Sequence, residues 1–240
     1  MTTNETTQLW VKAAREKGQR TEHMGDFVFH RNLGERRLLI VCDGQGRSES
    51  EQAARILHAR LFEAVTEGAK TEKNPVEILR DGLMQADRNI RGIFPPPEGE
   101  DIPGISCAVA LTVGLHLYVA HVGDCRIYLF RSRKMVFRTK DHTAAQQMVE
   151  TLEITPGEEA THPLRFEPVR KLGMGTDVQL EVRPQPLALS DGDRVLLCTD
   201  GVHDTLEDSR ISKFVNGDNP MAAPDKLLET AAITGPADDR

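Results

Sequence analysis

The order in which strand-like and helix-like stretches alternate limits the fold of this chain more than any other feature. After a short polar leader, 26–29 and 37–42 are apolar enough to be strands, and Asn32-Leu33-Gly34 between them predicts a hairpin. Two helices follow. Ser48-Glu49-Ser50-Glu51 has the form of a capping box, with Ala54, Leu57, Leu61 and Val65 behind it at helical spacing. Asn74 caps the second helix, Pro75 fills its first turn, and Val76, Leu79, Leu83, Ala86 and Ile90 recur in steps of three and four. Pro95-Pro96-Pro97 then forces an exposed connection. The chain turns strand-rich again at 106–113, 115–121 and 125–130, separated by Gly114 and by Gly123-Asp124, and three antiparallel strands in one meander are expected. Shorter helices are expected at 143–151, from Thr155, at 208–215 and at 224–232, with 162–186 mostly loop. Successive hairpins with helices grouped between them favour an α+β sandwich over a doubly wound parallel sheet.

A chain of 240 residues is one large domain or two small ones, long enough to bury a substantial core. It shows no internal repeat and no low-complexity linker. Net charge is −7, with acids and bases mixed and no basic block, so nucleic acid and anionic membrane are poor partners. The leader lacks the apolar core of a signal peptide and no stretch approaches the ~18 apolar residues of a membrane span. A cytoplasmic location is expected. Cys42, Cys107, Cys125 and Cys198 lie in or beside expected strands without the close pairing of a zinc site, and read as reduced apolar fillers.

Two acidic turns carry the chemistry. Leu38-Leu39-Ile40-Val41-Cys42 runs into Asp43-Gly44-Gln45-Gly46, and Val195-Leu196-Leu197-Cys198-Thr199 runs into Asp200-Gly201. A buried strand that stops on Asp-Gly presents a carboxylate at the sheet's rim, and glycine lets the backbone carbonyl approach whatever that carboxylate holds. Two such rims together would form a cage of oxygens, which hard cations such as Mg²⁺ and Mn²⁺ select. Asp-Gly is also a common turn dipeptide. The chain supplies its own controls, since Asp81-Gly82 in a helical pattern and Asp191-Gly192 in a polar turn follow no long apolar run. An anionic substrate would need local cations to offset the overall negative field, which favours bound metal.

In order along the chain, these residues resemble the metal-dependent serine/threonine protein phosphatases (PPM, or type 2C), in their bacterial-type form. Gly18 and Asp26 are similar to the opening motif, and Val41-Cys42-Asp43-Gly44-Gln45-Gly46 to the Asp-Gly-x-Gly turn. Gly104-Ile105-Ser106-Cys107-Ala108 resembles a small-residue strand start. The stretch 117–129, with Val122-Gly123-Asp124-Cys125-Arg126 at its centre, resembles the family's Val-Gly-Asp-Ser-Arg turn and its two strands. Thr139-Lys140-Asp141-His142-Thr143 and Ile154-Thr155-Pro156-Gly157 follow in place. Val169-Arg170-Lys171-Leu172-Gly173 stands in for Thr-Arg-Ala-Leu-Gly, Cys198-Thr199-Asp200-Gly201-Val202 for Cys-Ser/Thr-Asp-Gly-Leu, and Asp238-Asp239 for the final acidic pair.

The resemblance implies two packed antiparallel sheets flanked by helices, a four-layer αββα sandwich with metals in a cleft at one end. It implies one phosphatase domain over 1–240 that stops short of the family's last apolar strand. Two Mn²⁺ or Mg²⁺ ions would be held by Asp26, Asp43, Gly44 through its carbonyl, Asp200 and Asp238, with Asp43 bridging and Asp43 and Asp200 carrying catalysis. Asp124 either helps hold a third, weaker ion or caps the turn between two strands. Arg20, one residue early relative to the family's arginine, is the candidate phosphate ligand. Gln45 stands where some members have histidine and others methionine. Arg47 replaces a glycine and reads as a solvated residue at a helix start. His142 reads as structural, and His23, His121, His162 and His203 show no metal-like spacing. The implied reaction is hydrolysis of phosphoserine and phosphothreonine in proteins by a metal-activated water, opposing a serine/threonine kinase. The rival expectations are a catalytically silent member that binds phosphoproteins or partners, and a hydrolase of small phosphoesters.

Overall fold

Alternating side chains on the central strands decide how this chain is layered. The computed structural model describes residues 9–16, 25–44, 48–94, 104–159, 161–174 and 178–234. The expected hairpin is formed by β1 (Asp26–Leu33) and β2 (Arg36–Asp43). β2 pairs with β3 (Ser106–Val113) and β3 with β4 (His116–Val122), all antiparallel. Successive residues of a strand point to opposite faces. Leu38, Ile40, Cys42, Cys107, Val109 and Leu111 therefore share one face, while Val41, Ala108 and Ala110 share the other.

The first face is covered by α1 (Ser48–Lys70) and α2 (Pro75–Ile93), which bury Leu57, Leu61, Val65, Leu79, Leu83 and Ile90 against it. Each such side chain contributes roughly 1.5–3 kcal/mol by leaving water. The start of α2 is where the sequence places it. The Asn74 side chain accepts the Val76 N–H at 2.9 Å, and Pro75, which has no N–H to satisfy, follows it.

The second face meets another sheet, ordered β6 (Lys134–Arg138), β5 (Arg126–Arg131), β9 (Arg194–Cys198). Cys125, Ile127 and Leu129 fill the space between the sheets with Ala108, Ala110, Leu117 and Val119. Tyr128 and Phe130 point the other way, into a cluster closed by α5 (Asp200–His203), α6 (Asp208–Val215) and α7 (Ala223–Thr234) through Val202, Ile211 and Leu227. The result is the expected αββα sandwich. No helix among the described residues is long and apolar enough to cross a membrane.

The expected three-strand meander is corrected: β5 leaves the sheet of β3 and β4 and enters the other one. The chain changes sheets at Gly123-Asp124. Gly123 has φ 84°, and a Cβ there would overlap the Ser106 hydroxyl, so this corner requires glycine. His142 holds the corner, as its structural reading expects. Its backbone N–H donates to Gly123 O at 2.9 Å, and its ring Nδ1 accepts the Gly123 N–H at 3.2 Å. The strand β6 was not expected. Two short strands, β7 (Glu181–Val182) and β8 (Leu187–Ala188), also add to the edge of β4, the first within the expected loop. The helices α3 (Ala144–Glu150), capped by Thr143, and α4 (Pro156–Glu159) lie where short helices were expected.

Candidate metal centre

Strand register lines up the first acids. Asp43 lies directly opposite Asp26 on one side and Ser106 on the other, so the three form a row across β1, β2 and β3. Residues paired in this way share a face. Because Cys42 and Cys107 point to the helical layer, this row points to the space between the sheets. β9 reaches the same end. Cys198 faces α5–α7, and at the next residue the Thr199 hydroxyl donates to Asp26 Oδ2 at 2.5 Å. Asp200 follows as the first residue of α5, with its Oδ1 accepting the Gly201 N–H at 2.8 Å. Gly44 donates its N–H to Gly25 O at 3.1 Å and accepts the Ser50 hydroxyl on its carbonyl. A carbonyl oxygen has a second lone pair, so this contact still leaves an acceptor site.

The corner between the sheets supplies a further acid. Asp124 is 4% exposed, and its Oδ1 has no hydrogen-bond partner among the described residues. Its backbone carbonyl accepts His203 Nε2 at 2.9 Å, tying the corner to α5.

The electrostatics shows how closely these carboxylates are gathered. Burial pushes the Asp200 carboxyl well above the usual range, and the charges that act on it next most strongly are Asp43, Asp124, Asp26 and Asp204. Asp124 is raised as well, first by burial, with Ser106, His203 and Lys171 opposing the rise and Asp141 adding to it. The Ser106 hydroxyl is near enough to favour the charged form, yet among the described residues neither its Oγ nor Asp124 Oδ1 completes a hydrogen bond. A buried oxygen without a partner costs about 1–3 kcal/mol. Divalent cations would reverse the balance at such a cluster, because they favour the ionised carboxylates that now repel one another.

The donor set fits a hard cation. Carboxylate and carbonyl oxygens are the ligands of Mg²⁺ and Mn²⁺, whereas soft metals favour thiolates. The thiols at this end stay protonated: burial pushes Cys42 and Cys125 far up and Cys107 to about 12.

Of the candidate residues, Asp26, Asp43, Gly44, Asp124 and Asp200 fall at one end of the sandwich. Arg20, Gln45, Arg47 and Asp238 lie outside the described residues. Ser106, Thr199, His203 and Lys171 were not anticipated as parts of the centre. Thr199 and His203 flank Asp200 closely enough in sequence to have been suspected, and Ser106 opens a strand of small residues.

His121, His142 and Glu181 form a second cluster, with ligand atoms within 4.8 Å of one another. Its geometry is that of a clamp. The two imidazoles stack with their ring centres 4.5 Å apart. His121 Nε2 meets Lys140 O at 2.7 Å. Because His142 Nδ1 accepts an N–H, the neutral ring carries its proton on Nε2, which faces Glu181 at 3.4 Å.

Comparison with known proteins agrees with this geometry. The family model described as protein phosphatase 2C matches residues 11–148. The serine/threonine protein phosphatase PstP of Mycobacterium tuberculosis is 32% identical over 212 residues, which cover 85% of this chain and 39% of that protein. The chain thus spans well under half of that relative's length. Protein phosphatase PhpP of Streptococcus pneumoniae is 26% identical over 230 residues, covering 91% of this chain and 89% of PhpP. Among solved structures, the catalytic domain of PstP in complex with two manganese ions superposes with a TM-score of 0.68 at 26% identity, over 94% of this chain and 92% of that one.

Proposed function

This chain belongs to the protein phosphatase 2C family, and on that premise we propose that it is a metal-dependent enzyme that hydrolyses phosphoserine and phosphothreonine in proteins. The observation that carries the reading is the gathering of Asp26, Asp43 and Asp200 from three separate strand ends onto one rim. Asp43, central in its row, would hold two Mn²⁺ or Mg²⁺ ions. Asp26, the Gly44 carbonyl, Asp200 and Asp238 complete the set. Such ions, when bound, supply an acidified water at neutral pH and offset charge on the phosphoryl oxygens.

The remaining work falls to the chain's own groups. Thr199 fixes the carboxylate of Asp26 through its hydroxyl, and the strand pairing of β1 with β2 fixes the spacing of Asp26 from Asp43. Both constraints keep the ligands in place before any cation arrives, which lowers the ordering cost of binding. The thiols at this end are poor nucleophiles, since burial holds them neutral. Arg20 is assigned to the substrate phosphate. We place the activity in a single domain over 1–240, acting in the cytoplasm on phosphoproteins made by an opposing serine/threonine kinase.

The test is a titration of Mn²⁺ against turnover of a phosphothreonine peptide. The reading expects metal-dependent hydrolysis that Asp43→Ala abolishes, with the peptide preferred to a small aryl phosphate at saturation. A protein that binds no Mn²⁺ at millimolar concentration sinks it.

A further inference from the structure

The buried face of α2 carries one ionisable group. Asp87 lies between Leu83 and Ile90 at helical spacing, where the apolar stripe calls for a hydrophobic residue, and it is 0% exposed. A carboxylate there is costly unless its oxygens are answered. Two different partners answer them. Oδ2 accepts the Arg91 guanidinium at 2.7 Å, one turn along the same helix, and Oδ1 accepts the Gly173 N–H at 2.8 Å, from a residue 86 positions away. The first bond stays within α2, and the second leaves the helix for a segment at the metal end of the sandwich. Gly173 closes a short strap, residues 168–173, that is pinned along its length. Pro168 bridges Thr143, and the Val169 N–H donates to His142 O at 2.8 Å. Leu172 and Ile105 exchange two backbone hydrogen bonds of 2.9 Å. One end of the strap thus meets the residue that holds the Gly123–Asp124 corner, and the other meets the chain immediately before Ser106. Ser106 is the member of the acidic row opposite Asp43, and Gly123 packs against it. Asp87 fastens this second end of the strap to α2.

Resting on the phosphatase reading of this centre, we propose that Asp87 is a positioning residue for the metal ligands: by holding Gly173 it fixes the strap, and through Leu172 and Ile105 it keeps Ser106 in place beside Asp43 and against the Gly123–Asp124 corner. It acts from the helical layer and touches neither the ions nor the reacting atoms. Its two oxygens have separable tasks. Oδ1 sets the centre through Gly173, whereas Oδ2, with Arg91, only offsets the cost of burying the charge. Stability and metal affinity should therefore part when the two bonds are removed separately.

The experiment compares wild type, Asp87→Asn and the double variant Asp87→Leu/Arg91→Met. The double variant replaces the buried pair with apolar groups, a change that is often neutral or stabilising, and removes the anchor at Gly173. Asp87→Asn keeps an oxygen for the Gly173 N–H and loses the ion pair. In EDTA, Asp87→Asn is expected to melt below the double variant. Equilibrium dialysis is expected to give the opposite order: Mn²⁺ bound as in wild type by Asp87→Asn, and about ten-fold more weakly by the double variant, the scale on which groups behind metal ligands act. Amide exchange in EDTA should follow the anchor, with Ile105, Leu172 and Gly173 losing protection in the double variant and keeping it in Asp87→Asn. Metal affinity that tracks melting temperature across the three proteins would overturn the proposal, as would wild-type affinity in the double variant. Should the double variant fail to fold, Asp87→Asn decides alone: wild-type Mn²⁺ affinity at a lowered melting temperature supports the proposal, and weakened affinity overturns it. A wild-type chain that binds no Mn²⁺ would refute the parent reading, while exchange in EDTA still decides whether Asp87 fixes the strap.

Discussion

Two sets of buried acids lie side by side in this molecule and are balanced in opposite ways. Two residues past Asp124, Arg126 donates from Nε and a terminal nitrogen to the two oxygens of Asp141, at 2.8 and 2.5 Å. The network continues through Tyr128, whose hydroxyl donates to Asp208 at 3.0 Å, and through Arg138, which donates to Asp208 at 2.7 Å. Burial alone would raise Asp141, but the hydrogen bonds and charge of Arg126 outweigh it and hold the carboxyl below its usual range. At Asp200 burial acts in the same direction and the strongest charged neighbours are acids, so the carboxyl rises. The fold therefore can neutralise a buried acid with arginine and does so next door. Where acids are instead gathered on acids, their arrangement serves a ligand better than it serves stability.

The largest effect expected from this contrast is on turnover. Asp43→Asn should lower Mn²⁺-dependent kcat/KM by on the order of 10³-fold, about 4 kcal/mol, while leaving the melting temperature in EDTA no lower than in wild type. A variant that melted well below wild type without metal would show that Asp43 belongs with the structural acids. Arg126→Ala should do the reverse. Breaking one side of a buried ion pair costs about 3 kcal/mol, which for a domain of this size is roughly 6–12 °C in Tm. Unchanged thermal melts would end the comparison.

A smaller effect separates the two sets directly. Mn²⁺ at a hundred times its Kd should stabilise the wild-type protein by about 2.7 kcal/mol. Arg126→Ala should retain that increment from its lower starting point, and Asp43→Asn should lose it. Thermal melts with and without metal read both outcomes from the same samples.

The contrast also explains what was legible in the sequence. Asp43 and Asp200 stand out because each ends an apolar strand, and the helices α1 and α2 because their periodicity and the Asn74-Pro75 cap agree. In the sequence Gly123-Asp124 predicts a hairpin turn as readily as a change of sheet, since a positive-φ glycine before an acid serves either purpose and only the Ser106 contact distinguishes them. The strand β6 escaped because the turn before it places Ser132 and Arg133 at φ 49° and 65°, where hairpins usually announce themselves with glycine or asparagine. β7 and β8 are too short to carry a pattern. Lys171 gave no signal at all: a lysine in an irregular stretch looks solvated, and its burial depends on Gly104, far away in the chain.

The smallest effect is one of sign, and it is the strictest test of the comparison. Asp141 has a folded pKa below its ordinary value, so its contribution to stability is fully present above the unfolded pKa of about 3.9 and is lost as pH falls through the folded one. Asp200 in the metal-free protein is shifted the other way. Its contribution is fully present below the unfolded pKa and is lost as pH rises through the folded one. Asp141→Asn should therefore cost most near neutral pH and progressively less below pH about 4. Asp200→Asn in EDTA should become more stable relative to wild type as pH rises toward neutrality. Melts of the two variants across pH 3–7, in the same chelating buffer, should give difference curves of opposite slope. Parallel curves would mean that both acids are held by the same kind of partner, and the division between structural and ligand-holding carboxylates would fall.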